Sequence, residues 1–124
     1  ESIKKTIARE NPDVIVNTAA YTAVDKAEKE ETLAFKINRD SLAILADAIS
    51  GTPKKIIHIS TDYVFDGRGK IPYRENGKTS PKTIYGHSKS EGEAILIDKV
   101  PKQSFIIRTS WLFSEYGSNF VKTM

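Results

Sequence analysis

Three stretches of the chain carry contiguous rather than alternating apolar residues: Asp13–Asn17 (DVIVN), Lys55–Thr61 (KIIHIST) and Ser104–Thr109 (SFIIRT). β-Branched residues dominate all three, which predicts strands, and the contiguity predicts strands buried on both faces. Between the first two, Ala34, Ile37, Leu42, Leu45, Ala46 and Ile49 recur at helical spacing. One long helix is therefore predicted from about Asp25 to Ile49. Asp25 and Glu28 resemble a capping box at its start, and Gly51-Thr52-Pro53 ends it. A second helix is predicted near Tyr85 to Asp98. Asn11-Pro12 stops an earlier one over Ile3–Arg9, and the final GSNFVKTM reads as the start of another. Strand, helix, strand, helix, strand predicts a right-handed parallel α/β sheet. The polar segment Asp66–Pro81 (DGRGKIPYRENGKTSP) breaks this rhythm. Such a loop either lines a binding site or wanders over the surface, and both readings stand.

Composition narrows the class. With 124 residues, 39% hydrophobic and 28% charged, the chain supports one ordinary globular domain and is not disordered. Its net charge of +3 is a small, scattered excess with no basic stripe, which argues against nucleic acid as a partner. The absence of cysteine excludes disulfides and thiolate metal sites, and a reducing cytoplasm is the expected location. No apolar run reaches the roughly 18 residues of a membrane span. No His/Asp/Glu group has a metal-ligand spacing, so no metal site is expected.

Ligands of open parallel sheets bind beyond the carboxyl ends of the strands. All three strands end there in small polar residues: NTAAY at 17–21, STDY at 60–63 and RTSW at 108–111. Singly, each set could merely cap its strand; together they point to a pocket floor. Tyr85 and Lys89, in YGHSK, lie four apart on a predicted helix and so share a face. An ammonium about 5 Å from the phenol would stabilise the phenolate by about 3 kcal/mol at an effective dielectric near 20. That predicts a Tyr85 pKa lowered by roughly two, into the range of a working acid–base group. The plainer alternative is an aromatic packed under a lysine stem. His87 is expected to be solvated, and His58, inside a strand, to be a neutral hydrogen-bonded core residue.

In this order and at these intervals, the motifs resemble the extended short-chain dehydrogenase/reductase superfamily, and within it the dTDP-4-dehydrorhamnose reductases. The resemblance rests on PDVIVNTAAYTAVDKAE (12–28), ISTDYVFDG (59–67), PYRE (72–75), YGHSK (85–89) with GE at 92–93, and RTSWLF (108–113). It implies a Rossmann-like α/β fold and hydride transfer from NADPH or NADH to C4 of a nucleotide-linked 4-keto-6-deoxy sugar, in rhamnose-type polysaccharide synthesis. By the same resemblance Tyr85 protonates the C4 oxygen, Lys89 tunes the tyrosine and holds the nicotinamide ribose, and Thr61 hydrogen-bonds the same oxygen. Ala19, Ala20, Tyr21 and Thr22 would line the cofactor, and Asp62, Tyr63 and Trp111 would face the sugar nucleotide. A homodimer is compatible with the family.

The chain also departs from the pattern. It has no Gly-rich turn of the kind that seats a pyrophosphate at a helix N-terminus, so the first βα unit of the fold is missing. Residues 1–124 therefore read as the central part of a longer NAD(P)-binding domain, expected to bind dinucleotide weakly and turn over little by itself. Two alternatives remain open at this point. One is another sugar-nucleotide enzyme, a 4-epimerase or 4,6-dehydratase. The other is a non-catalytic regulator resembling that of methionine adenosyltransferase, in which the RTSW strand end differs.

Overall fold

The computed structural model describes residues 2–124. Helix α1 (Ile3–Glu10) starts at Ser2, whose hydroxyl accepts from the Lys5 N–H, and ends at Asn11 in the left-handed conformation (φ 44°). Strands β1 (Val14–Asn17), β2 (Lys55–Thr61) and β3 (Ser104–Thr109) form one parallel sheet in the order β1-β2-β3. The register sets Asn17 beside His58 and Thr61 beside Thr109, so all three carboxyl ends meet on one edge, as the sequence predicts.

The stretch between β1 and β2 is not one helix. It comprises α2 (Val24–Ala27), α3 (Glu31–Phe35), a π-helical segment (Lys36–Asp40) and α4 (Ser41–Ile49). The predicted capping box does not form, because α2 begins after Ala23 with no side-chain cap. Glu28 serves another helix instead. Its carboxylate accepts from the Ile84 N–H at 2.9 Å, at the start of α5 (Ile84–Lys99), where negative charge complements the helix dipole. Thr83 supplies the side-chain cap of α5. A short α6 (Phe120–Thr123) follows Asn119.

The apolar core joins α1, α4 and α5 to one face of the sheet through Ile7, Leu42, Leu45, Ile49, Ile56, Leu96 and Val100. The expectation of strands buried on both faces is corrected here. Along β2, Ile56, His58 and Ser60 are buried beneath the helices, whereas on the opposite face Val16 is 59% and Phe105 57% exposed. The helices of both crossovers lie on one side, as right-handed connections between sequential neighbouring strands require. The second apolar face is therefore left open among the described residues.

Candidate active site

Two glycines let α5 approach its neighbours. A Cβ on Gly86 would stand 2.3 Å from the Tyr63 carbonyl oxygen, and one on Gly92 would stand 2.3 Å from the Asn38 carbonyl and 2.6 Å from Leu42. These close approaches seat α5, which carries Tyr85 and Lys89, against the Tyr63 main chain after β2 and the Asn38 main chain. Tyr85 is half-buried, with the Tyr63 ring edge-on at 5.5 Å.

Thr61 sits at the end of β2, its hydroxyl accepting from the Tyr63 N–H and donating to Asp62 Oδ1, both at 3.2 Å. It also acts on the Tyr85 phenol, drawing its pKa down. Burial pushes the Tyr85 phenol above its ordinary pKa; Thr61 pulls it back, and Asp62 and Tyr63 push it further up. The lowered pKa expected from the Tyr–Lys spacing is thus corrected. The Lys89 stem carries its amine to β2, where Nζ donates to the Ile59 carbonyl at 2.7 Å and lies 3.2 Å from His58 Nε2. Its charge is not among the influences on the phenol.

Lys89 is 2% exposed, and burial lowers its pKa to about 8, with Glu93 acting to raise it. His58, equally buried, is lowered to about 3 by burial first and the Lys89 charge second, against an opposing hydrogen bond to the Asn17 main chain. It is the neutral core histidine the sequence predicts, and His87 is exposed as expected.

Beyond the strand ends lies a cleft of about 460 Å³ lined by Asp62, Tyr63, Phe65, Ser110 and Trp111 among others. Asp62, Tyr63 and Trp111, the residues expected to face the sugar nucleotide, thus share one cleft, whereas Thr61, at the end of β2, is not among its lining residues. Trp111 is 71% exposed, stands edge-on to Phe120 with centroids 4.7 Å apart, and has a left-handed backbone (φ 53°), a strained state for an aromatic residue. An adjoining cleft shares Asp62, Phe65 and Ser110 and extends to Tyr73, Arg74, Glu75 and Arg108.

The long polar segment 66–81 lines both clefts and is pinned. Tyr73 stacks on Phe65 at 4.2 Å and donates to Asp66, while the Ser80 N–H returns to the Val64 carbonyl. Of the two readings left open for this loop, the structure supports the one that lines a site.

The loop after β1 holds the residues expected to meet a cofactor. Ala19 and Thr22 are exposed there, and Ala20 and Tyr21 half-buried. Asn38, in the π-helical segment, clamps it. Its amide oxygen accepts from the Tyr21 N–H at 2.8 Å, and its nitrogen donates to the Tyr21 carbonyl and to Ser88 Oγ on α5. The Tyr21 phenol donates to Glu30 at 2.5 Å, and that bond holds its pKa above the ordinary value.

Sequence reasoning missed Asn38, Arg108 and the engagement of His58. Arg108 forms a bidentate pair with buried Glu93 at 2.6–3.2 Å and lies over the Phe65 ring. A polar amide among helical apolar positions was the available signal for Asn38; the partners of Arg108 are too distant in sequence to be seen.

The amine of Lys89 and the hydroxyls of Tyr85 and Thr61, gathered at a parallel sheet's carboxyl edge, fit the nicotinamide–ribose end of a dinucleotide. No glycine-rich phosphate turn exists in the sequence, so these residues do not by themselves fit the pyrophosphate.

Comparison with known proteins gives a consistent picture. The family model of the RmlD substrate binding domain matches residues 1–124. The chain is 50% identical over 123 residues to dTDP-4-dehydrorhamnose reductase of Sinorhizobium fredii, covering 99% of this chain and 41% of the relative. Over 124 residues it is 48% identical to the reductase of the same name from Salmonella typhimurium, covering all of this chain and 41% of that one. The chain thus spans about two fifths of the length of the curated relatives it matches. Among solved structures, the dTDP-4-dehydrorhamnose reductase of Bacillus anthracis in complex with NADP is 42% identical with a TM-score of 0.91, covering 97% of this chain and 42% of that one. A UDP-glucose 4-epimerase from Brucella ovis shares the fold at 20% identity and a TM-score of 0.75, over 85% of this chain and 34% of that one.

Proposed function

The chain belongs to the RmlD substrate binding domain family, and from that premise we propose that it carries the catalytic groups of an NADPH-dependent sugar-nucleotide reductase. The substrate proposed is dTDP-4-dehydrorhamnose, reduced at its C4 ketone to dTDP-rhamnose. Its relatives' names and the NADP complex of the Bacillus anthracis reductase support this reading. In the same reading, residues 1–124 are the central part of a longer dinucleotide-binding domain. The two-fifths coverage of the relatives and the open apolar face of the sheet support that assignment.

The observation that carries the proposal is the placing of Thr61 at the end of β2, where it acts on the half-buried Tyr85 phenol, beside the buried amine of Lys89. Bound NADPH supplies a hydride to the substrate's C4. Tyr85 gives its hydroxyl proton to the C4 oxygen, so that one hydride and one proton complete the alcohol. Burial keeps that phenol protonated at neutral pH, which suits a proton donor. As the proton leaves, the Thr61 hydroxyl is placed to turn from Asp62 and donate to the phenolate. Lys89 has two N–H bonds engaged on β2 and a third for a ribose hydroxyl. Ala19, Ala20, Tyr21 and Thr22 form the cofactor wall, steadied by Asn38. Asp62, Tyr63 and Trp111 take the sugar nucleotide, Trp111 offering an apolar face to the deoxysugar. Tyr63, rather than a second carboxylate, packs on Tyr85, which favours a reductase over a dehydratase.

The test uses the complete enzyme with dTDP-4-dehydrorhamnose and NADPH, following cofactor oxidation. Tyr85→Phe is expected to lower kcat by about a hundredfold or more while NADPH binding persists. Unchanged turnover in that variant would remove Tyr85 from the reaction.

A further inference from the structure

The buried contact between Lys89 and His58 enters the chemistry above only as one of the two bonds that hold the amine on β2, and hydrogen-bond accounting gives the histidine a role of its own. A neutral imidazole has one N–H donor and one bare nitrogen. Lys89 Nζ lies 3.2 Å from Nε2, and the Asn17 amide nitrogen Nδ2 lies 3.0 Å from Nδ1. An ammonium has no lone pair, so it can meet Nε2 only by donating, and Nε2 must then be bare. The ring proton is left on Nδ1. An amide NH₂ cannot face an N–H, so this tautomer requires the Asn17 amide to be turned by a half-turn, bringing oxygen in place of Nδ2 to that edge; the two ends of an amide have the same shape. The parallel register that pairs Asn17 with His58 makes this contact part of the sheet itself.

We propose that His58 is the positioning residue for Lys89: its ring, held as the Nδ1–H tautomer by Asn17, accepts from the ammonium at Nε2. With the Ile59 carbonyl it fixes two of the three N–H bonds and leaves the third for a ligand at the strand ends. This rests on the reading that Lys89 serves the bound cofactor. Burial keeps the ring neutral, since its pKa is near 3, so it remains an acceptor throughout the working range.

The groups around the amine set the electrostatic frame. On α5 this is Glu93, on β2 His58 itself, and Arg108 of β3 is paired with Glu93. Asp62 and Tyr63 follow β2 in the 3-10 turn Asp62–Val64. From the π-helical segment Arg39 and Asp40 are bonded to one another, Arg39 also pairs with Glu91, and Asn38 is neutral. His58 is the partner whose acceptor can be removed while every one of these charges is kept.

The experiment uses the complete enzyme. Nitrogen-resolved NMR of its histidines at neutral pH is expected to show His58 protonated at Nδ1 and bare at Nε2; an Nε2–H tautomer or an imidazolium overturns the proposal. In parallel, an asparagine at this position mimics Nδ1 and lacks the outer acceptor, whereas a glutamine reaches toward the Nε2 position. His58→Asn is expected to lower kcat/KM for NADPH about tenfold, the scale of one hydrogen bond to a charged group, and to move the basic limb of its pH profile to lower pH. His58→Gln is expected to recover most of the loss and return the limb. Equal impairment of the two variants, or an unmoved limb in His58→Asn, overturns the proposal. Lys89→Met separates the two levels. Full turnover in that variant removes the lysine role on which this inference rests, whereas the tautomer measured in the unsubstituted enzyme tests the hydrogen bond independently.

Discussion

The two ionisable groups at the centre of the site both have their charged forms disfavoured, through the same cause. Burial raises the Tyr85 phenol and lowers the Lys89 ammonium to about 8, so each is pushed toward its neutral state. For Lys89 this has a measurable sign. Its folded pKa lies below the unfolded value of 10.5, so between those limits the unfolded chain binds more protons than the folded one. Stability therefore rises with pH across the window from about 8 to about 10.5, and the burden of the buried charge is fully present below it. Denaturant titrations over that window are expected to show the rise in the unsubstituted protein and its loss in Lys89→Met. The YGHSK spacing correctly placed both residues on one helix face, yet it misjudged the phenol. Sequence spacing reports where a Cβ points and cannot report which way four methylenes turn, and here they lead to the Ile59 carbonyl.

At the scale of elements, the three strands were legible to within a residue because β-branched apolar runs mark them. The helical stretch after β1 was not. Ala34, Ile37, Leu42 and Leu45 keep a helical period, but a π-helical segment intervenes and turns Asn38 inward, where it is 2% exposed. Glu28 likewise looked like the cap of its own helix and instead caps α5, a contact spanning 56 positions that no local pattern encodes. The Gly92 contact with the Asn38 carbonyl joins these pieces. Gly92→Ala would force a methyl against backbone at 2.3 Å and is expected to destabilise the fold by about 1–3 kcal/mol despite the better helix propensity of alanine. Chemical denaturation checks this. Glycine at this position thus serves packing between α5 and the π-helical segment, since α5 is a regular helix there.

For the whole molecule, one sheet face is roofed by α1, α4 and α5, and the other presents Val14, Val16, Phe105 and Ile107, each 49–59% exposed. Contiguous apolar strands correctly announced two apolar faces; what lies over each face is tertiary information that the strands do not carry. An apolar surface of this kind attracts hydrophobic dyes and other copies of the chain. The 124-residue chain prepared alone is expected to bind such a dye, and Val16→Thr with Ile107→Thr to diminish the fluorescence, whereas the same pair on the roofed side would unfold it. No helix of the described residues is long and apolar enough to cross a membrane. The bare Cα positions at 86 and 92, the first directly after Tyr85 and the second three residues beyond Lys89, seat α5 against unyielding main chain at two points. A rod pegged twice can neither slide nor roll, so the phenol and amine keep their aim until the pegs themselves give way. Turnover in the complete enzyme is accordingly expected to follow its melting curve on warming instead of fading ahead of it, and paired temperature series of rate and ellipticity would reveal any gap between the two.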